Sequence, residues 1–231
     1  MSNRLTKQLK SLTKSEGADL VGIAPVQRFR NVPKGYAPKD ILRSAKFTIT
    51  LGIHLLDSVV ETTPSREYAI HTRVVNSELN RIAYRIARFL EDSGYVAIPI
   101  PASYPSDSSK HVGDLSHRHA AVFAGLGQIG RNSLLVTPRY GPRVRLVTVV
   151  TNAPLKPDPP LKLDLCKGCD VCIRACPAGA LAKNKKTDKK KCISYSEEIR
   201  KKFDLDSRYC GLCIKVCPIG KKHRSTLFKK S

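Results

Sequence analysis

The 231-residue chain contains no tryptophan, one methionine and, before residue 166, no cysteine. Aromatic residues make up 6% of it, too few for the stacking platforms on which single-stranded nucleic acids are bound. No run of about 18 apolar residues occurs, which sets aside a membrane-spanning helix. The N-terminal stretch MSNRLTKQLKSLTKSEG is basic and amphipathic but lacks the apolar stretch of a secretory leader. The expectation is a cytoplasmic protein with no membrane partner. Acidic residues are also scarce: 19 Asp and Glu stand against 41 Lys and Arg, a formal charge of +22. Hydrophobic residues are not scarce. At 41% they allow a buried core and argue against disorder, and the length is that of roughly one or two domains.

All eight cysteines lie after residue 165. Cytosolic thiols stay reduced, so their number points to metal rather than disulfides. Cys166, Cys169, Cys172 and Cys176 form C-x2-C-x2-C-x3-C, followed by Pro177, the bacterial ferredoxin run for a 4Fe–4S cluster. Three thiolates at this spacing let a tight loop wrap three corners of one small cluster, with Lys167-Gly168 giving the flexible backbone. A second run, Cys210, Cys213 and Cys217 before Pro218, lacks one cysteine, and Cys192 is the one left to supply it. Zinc ribbons also use C-x2-C pairs, but they have no reason to repeat the C-x3-C-P ending. The expectation is two 4Fe–4S clusters. In two-cluster ferredoxins the last cysteine of a run ligates the other cluster. That rule assigns Cys166, Cys169, Cys172 and Cys217 to one cluster, and Cys176, Cys192, Cys210 and Cys213 to the other.

The basic excess is denser after residue 160, with 19 basic and 7 acidic residues against 22 and 12 before it. Such an excess attracts anionic partners, although oxidised clusters with their thiolates carry negative charge of their own and offset part of it. The run KNKKTDKKK at 183–191 reads as a solvated loop or as a docking surface for an acidic protein partner or RNA.

The cysteine-free part mixes helix and strand. Leu5, Leu9 and Leu12 fall at helical spacing and end at Gly17. DLVGIAPV (19–26) and KFTITLGIHLL (46–56) are short β-rich runs. Between Arg66 and Asp92, Ile70, Val74, Leu79, Ile82, Ile86, Phe89 and Leu90 mark the longest helix. Tyr95–Ile100 reads as a strand and His117–Phe123 as a short helix, while 133–137 and 143–151 read as strands paired around Pro-Arg-Tyr-Gly-Pro. The pattern is α+β. The stretch 152–163 holds four prolines and reads as an extended linker. The expected organisation is an α+β domain over 1–151, the linker at 152–163, and a double-cluster ferredoxin-like domain over 164–231.

Gly125, Gly127 and Gly130 spell G-x-G-x-x-G in AGLGQIGRNSLLVTPRYG (124–141). A nucleotide site needs a strand before, a helix after and an acid about 20 residues on. Here the order is helix then strand, and Val150 stands where the acid belongs. The glycines instead permit a tight turn, or close backbone approach to something flat and large. This segment, with CKGCDVCIRACPAGAL, CISY (192–195), CGLCIKVCP and the early DLVGIAPV, resembles the epoxyqueuosine reductase family and the related reductive dehalogenases.

The resemblance implies a nitroreductase-like mixed α/β domain that binds cobalamin, followed by a two-cluster ferredoxin-like domain that feeds electrons to cobalt. It places Gly125, Gly127, Gly130 and Asn132 at the corrin. In the family an Asp delivers a proton; here His111 stands in its place, Asp114 is three residues off, His117 replaces a Glu, and Arg118 matches the family Arg. Gln128 stands where the family has Trp. A histidine titrates near neutrality, so His111, Asp114 and His119 are the candidate proton donors. Three functions follow. One is a reductase passing electrons through two clusters to a corrinoid or a substrate bound by the first domain. Another is an electron-transfer protein serving a partner such as a corrinoid protein. The third, resting on charge alone, is a protein that binds or modifies tRNA. Either redox function calls for a low-potential donor of ferredoxin or flavodoxin type.

Overall fold

A computed structural model of the chain describes residues 2–103, 113–183, 187–206 and 209–221. The elements run α1 (Ser2–Ser15), β1 (Leu20–Pro25), α2 (Pro38–Ile41), β2 (Phe47–His54), α3 (Asp57–Glu61), α4 (Arg66–Asp92), β3 (Ala97–Ile100), α5 (His117–Phe123), β4 (Gln128–Ile129), β5 (Leu135–Val136), β6 (Val144–Thr151), α6 (Val171–Arg174), α7 (Lys189–Lys202) and α8 (Leu212–Lys215). The fold is a mixed α+β one, and no helix among the described residues is long and apolar enough to cross a membrane.

Two compact units emerge, and they do not follow the linear division expected from the sequence. The first comprises 1–54, 72–128 and 145–163; the second comprises 55–71, 129–144 and 164–231. The cysteine segment thus draws two stretches from the cysteine-free part into its own unit.

The first unit is built on a four-stranded sheet of order β1-β2-β6-β3. β1 runs antiparallel to β2, with Leu20 opposite Gly52 and Pro25 opposite Phe47. β3 runs antiparallel to β6, with Ala97 opposite Thr151. In β2, Thr48 to Gly52 are all buried, which is why this strand reads as a continuous run rather than an alternation. The hydroxyls of Thr50 and Thr148 meet between the two central strands at 3.4 Å. On α4 the buried stripe is Val75, Leu79, Ile82, Ile86 and Leu90, whereas Ile70 and Val74 are exposed. The apolar periodicity locates the helix, and its buried stripe begins only at Val75 among those longer aliphatic residues. Glu16, at the end of α1, is clamped by Arg81 and Arg85 of α4.

The stretch 152–163 is extended, but it is not a free linker. Ala153 and Leu155 are buried, Lys156 N–H donates to Thr6 Oγ1 at 2.9 Å, and Asp158 N–H donates to Ile23 O. The Asp158 carboxylate accepts from Ile23 N–H and from Lys10. Prolines that cannot join a ladder here lay the chain against the sheet's β1 side. The expected pairing of 133–137 with 143–151 is also corrected: β5 pairs with β4, while β6 sits between β2 and β3.

Candidate metal centre

Within the second unit each cysteine run makes the same local fold. In the first, Cys169 precedes α6, Cys172 lies in it and Cys176 follows it; in the second, Cys210 precedes α8, Cys213 lies in it and Cys217 follows it. One helical turn therefore separates the final cysteine of each run from its predecessors. The two short helices pack together, and the final cysteines change places.

Cys166, Cys169, Cys172 and Cys217 line one cavity, closed by Asn132, Val136, Leu165, Pro218 and Ile219. The remaining four feel one another electrostatically. Burial and the neighbouring Cys176 raise the Cys192 thiol, and burial with Cys192 and Cys176 raises Cys210. Burial pushes Cys213 up to about 12, with Cys210, Cys172, Cys192 and Cys176 adding to it. Among the described residues no group of three or more His, Cys, Asp or Glu is placed to hold a single metal ion. The donor set and its spacing fit iron–sulfur clusters. Exposure differs within the eight: Cys217 is buried, Cys192 is exposed and the other six are intermediate.

The loop that carries Cys217 is held by residues that the cysteine spacing did not reveal. Arg143, whose side chain has 0% exposure, donates from Nη1 to Ile219 O at 3.0 Å and from Nη2 to Lys215 O at 3.0 Å and Cys217 O at 3.2 Å. Its Nε lies 3.3 Å from Asp57 Oδ1 on α3. Ile219 N–H donates to the Cys217 sulfur, and Leu212 N–H to that of Cys210. Lys215 reaches Glu61 O at 2.5 Å, which ties α8 to α3.

A crossing of backbones completes the support. A Cβ on Gly141 would sit 2.0 Å from Ile219 O, and one on Gly220 would sit 2.0 Å from the Tyr140 carbonyl carbon. Both glycines have positive φ, 54° and 76°, so the turn after Tyr140 and the loop after Cys217 touch only because neither carries a side chain. Behind the second thiol set lies a small apolar core of Ala69, Ile199 and Leu205, with Tyr195, Phe203, Tyr209 and Cys210 packed on it.

The glycine segment is placed as follows. Gly125 has φ +74°, and a Cβ there would meet Pro159 O at 2.1 Å, so its bare face is filled by the chain's own 152–163 stretch. Gly127 is buried. A Cβ on Gly130 would meet Val136, Asn132 Oδ1 and, at 3.5 Å, the Cys166 sulfur. Asn132 is 7% exposed; its Nδ2 donates to Cys213 O at 3.5 Å and its Oδ1 accepts from Leu134 N–H. Gly130 and Asn132 thus lie beside the cysteines.

Of the candidate proton donors, His111 lies outside the described residues. Asp114 is exposed. His119 is exposed on α5 and shares a 2.7 Å hydrogen bond with Ser116 Oγ; burial and Arg118 hold its pKa below the ordinary value. His117, not proposed as a donor, points inward. Its Nε2 donates to Pro101 O at 3.1 Å and its Nδ1 accepts from the Thr148 hydroxyl at 2.9 Å. Burial holds its pKa down to about 4, so it is a neutral brace between α5 and β6 at physiological pH.

Residues 165–220 match the family described as a 4Fe-4S double cluster binding domain, and the class is that of an iron–sulfur protein. The chain is 28% identical to the tetrachloroethene reductive dehalogenase of Sulfurospirillum multivorans, over 94% of this chain and 50% of that one. It is 40% identical to the epoxyqueuosine reductase of Listeria monocytogenes over 48% of this chain and 31% of that one. The chain thus spans half or less of these curated relatives. Among solved structures, a catabolic reductive dehalogenase superposes with a TM-score of 0.79 at 23% identity, covering 96% of this chain and 32% of its own. The epoxyqueuosine reductase from Bacillus subtilis superposes at 0.68 with 24% identity, covering 98% and 68%. The protein is a divergent relative of the epoxyqueuosine reductases and reductive dehalogenases.

Proposed function

We propose that the chain is an iron–sulfur reductase that carries two 4Fe–4S clusters and delivers electrons one at a time to a bound acceptor. The sorting of eight cysteines into two crossed quartets carries this reading. Cys166, Cys169, Cys172 and Cys217 would hold one cluster, and Cys176, Cys192, Cys210 and Cys213 the other. Once bound, such clusters supply one-electron chemistry at a potential set by charge, hydrogen bonding and exposure. The chain's own residues govern those settings. Arg143 brings a buried positive charge beside Cys217, and the Ile219 and Leu212 amides donate to cysteine sulfurs. Val136, Leu165, Pro218 and Ile219 give one quartet an apolar lining.

Kinship supports a corrinoid as the acceptor: one of the solved structures that superposes on the chain is a reductive dehalogenase described in terms of B12-dependent dehalogenation. At Gly125 the space that a Cβ would fill is taken by Pro159 O, so no step is assigned to a corrin there. That observation favours a second reading, in which the protein supplies electrons to a corrinoid held by a partner. Nothing in this chain singles out tRNA as the substrate. In an anaerobic potentiometric titration followed by EPR, uptake of two electrons per chain in the low-potential range is expected; uptake of only one would contradict two clusters. Repeating it with added cobalamin separates the acceptor readings. A stoichiometric spectral change makes the chain the corrin-binding reductase, and no change at high micromolar cobalamin makes it the donor to a partner.

A further inference from the structure

Three lysines crowd the wrong end of a helix. Lys189, Lys190 and Lys191 form the first turn of the 14-residue α7, with no acidic residue in that turn. A helix N-terminus carries partial positive charge, so cations there work against the helix. The N-cap Asp188, which accepts from Lys191 N–H at 3.1 Å, is the local counterweight. All four residues are exposed, and among the described residues none of the three lysines makes an ion pair. At the other end of α7, Arg200 pairs with Glu197 and sits where the dipole favours it. The basic first turn therefore serves something other than the helix.

What it surrounds is the most accessible thiol of the eight. Cys192 follows Lys191 directly and is exposed, whereas the other cysteines are intermediate or buried. Electron transfer between proteins falls off steeply with distance, so a donor reaches the chain's redox groups best where a ligand is at the surface. We propose that the first turn of α7, Lys189 to Cys192, is the docking surface for an acidic, low-potential electron-transfer protein. This rests on the cluster reading above. The donor loses one electron and is oxidised; the group held by Cys176, Cys192, Cys210 and Cys213 gains that electron and is reduced, with no bond made or broken. Complementary charge speeds and orients such encounters more than it tightens them, and salt weakens both.

The test uses the anaerobically prepared full chain and a reduced flavodoxin of strongly negative net charge. Lys189→Glu, Lys190→Glu and Lys191→Glu are combined in one variant. Glutamates in the first turn favour the helix, so folding is not at risk. The expected result is a loss of about tenfold or more in the flavodoxin reduction rate and a weaker, less salt-dependent Kd by calorimetry. Reduction by dithionite and iron content should be unchanged. Reversing Lys201 and Lys202, at the far end of the helix, should have little effect. An unchanged flavodoxin rate and Kd in the triple variant would overturn the proposal. So would loss of tRNA binding with flavodoxin reduction intact, which would make the patch an RNA surface. Failure of the cluster reading shows separately, as absence of iron, and leaves the calorimetric arm readable.

Discussion

Replacing Arg143 by alanine is expected to destabilise the protein by about 3 kcal/mol or more, because several carbonyls lose a buried charged donor. The same change should cost the protein the iron held by the quartet that includes Cys217. No part of the Arg143 side chain is exposed, and its guanidinium serves three carbonyls of the loop from Lys215 to Ile219. Alanine leaves those acceptors without their donor and Asp57 without its cation, at about 1–3 kcal/mol for each buried group left unsatisfied. The loop so released is the one that carries Cys217 across to Cys166, Cys169 and Cys172. Arg143→Lys keeps the charge but not the planar fork that reaches several carbonyls together, so it should fall between. Urea unfolding with iron assayed alongside measures both effects. A loss under about 1 kcal/mol with full iron would show that the loop holds itself.

The second large effect concerns which cysteines fail together. Cys176→Ser should remove the same EPR signal as Cys192→Ser, and Cys217→Ser the same signal as Cys166→Ser. Sequence proximity predicts otherwise, since Cys176 stands four residues from Cys172 and 16 from Cys192. The structure gives the reason for the crossing: α6 and α8 each insert one helical turn before the last cysteine, and their packing hands Cys176 and Cys217 to opposite quartets. If Cys176→Ser abolished the signal that Cys169→Ser abolishes, each run would close on its own cluster.

Ferredoxin spacing records how a loop wraps a cluster, which made the two runs legible, and the structure lines one cavity with Cys166, Cys169, Cys172 and Cys217. Cys192, 18 residues from Cys210, was legible by arithmetic alone. Arg143 was not. In Pro-Arg-Tyr-Gly-Pro-Arg it looks like one more charge on a basic chain, and only the tertiary fold shows that it is buried while Arg139 stays at the surface. Gly141 was visible as part of the PRYG resemblance, yet its reason, the contact with Ile219, joins residues 78 apart. The same limit explains the glycine segment. Three glycines in six residues announce close approach, but what approaches Gly125 is Pro159 from the stretch that reads as a linker. Prolines mark extended chain without telling whether it lies free or against a sheet. The strand order was equally hidden, because β6 pairs with residues around 97–100 rather than with its neighbour in sequence.

Arg118 matched a family pattern, but which neighbour could carry a proton was not legible beside it: the fold leaves Asp114 and His119 exposed and turns His117 inward onto Thr148. On a helix, positions 117 and 119 point apart, so no two of the described histidines here act as a pair.

Metal analysis of anaerobically purified protein tests most directly whether the eight cysteines hold two clusters. About eight irons and eight acid-labile sulfides per chain are expected, with broad absorbance near 400 nm that dithionite bleaches, as two cubanes require. About two zinc ions per chain, with neither iron nor sulfide, would contradict it.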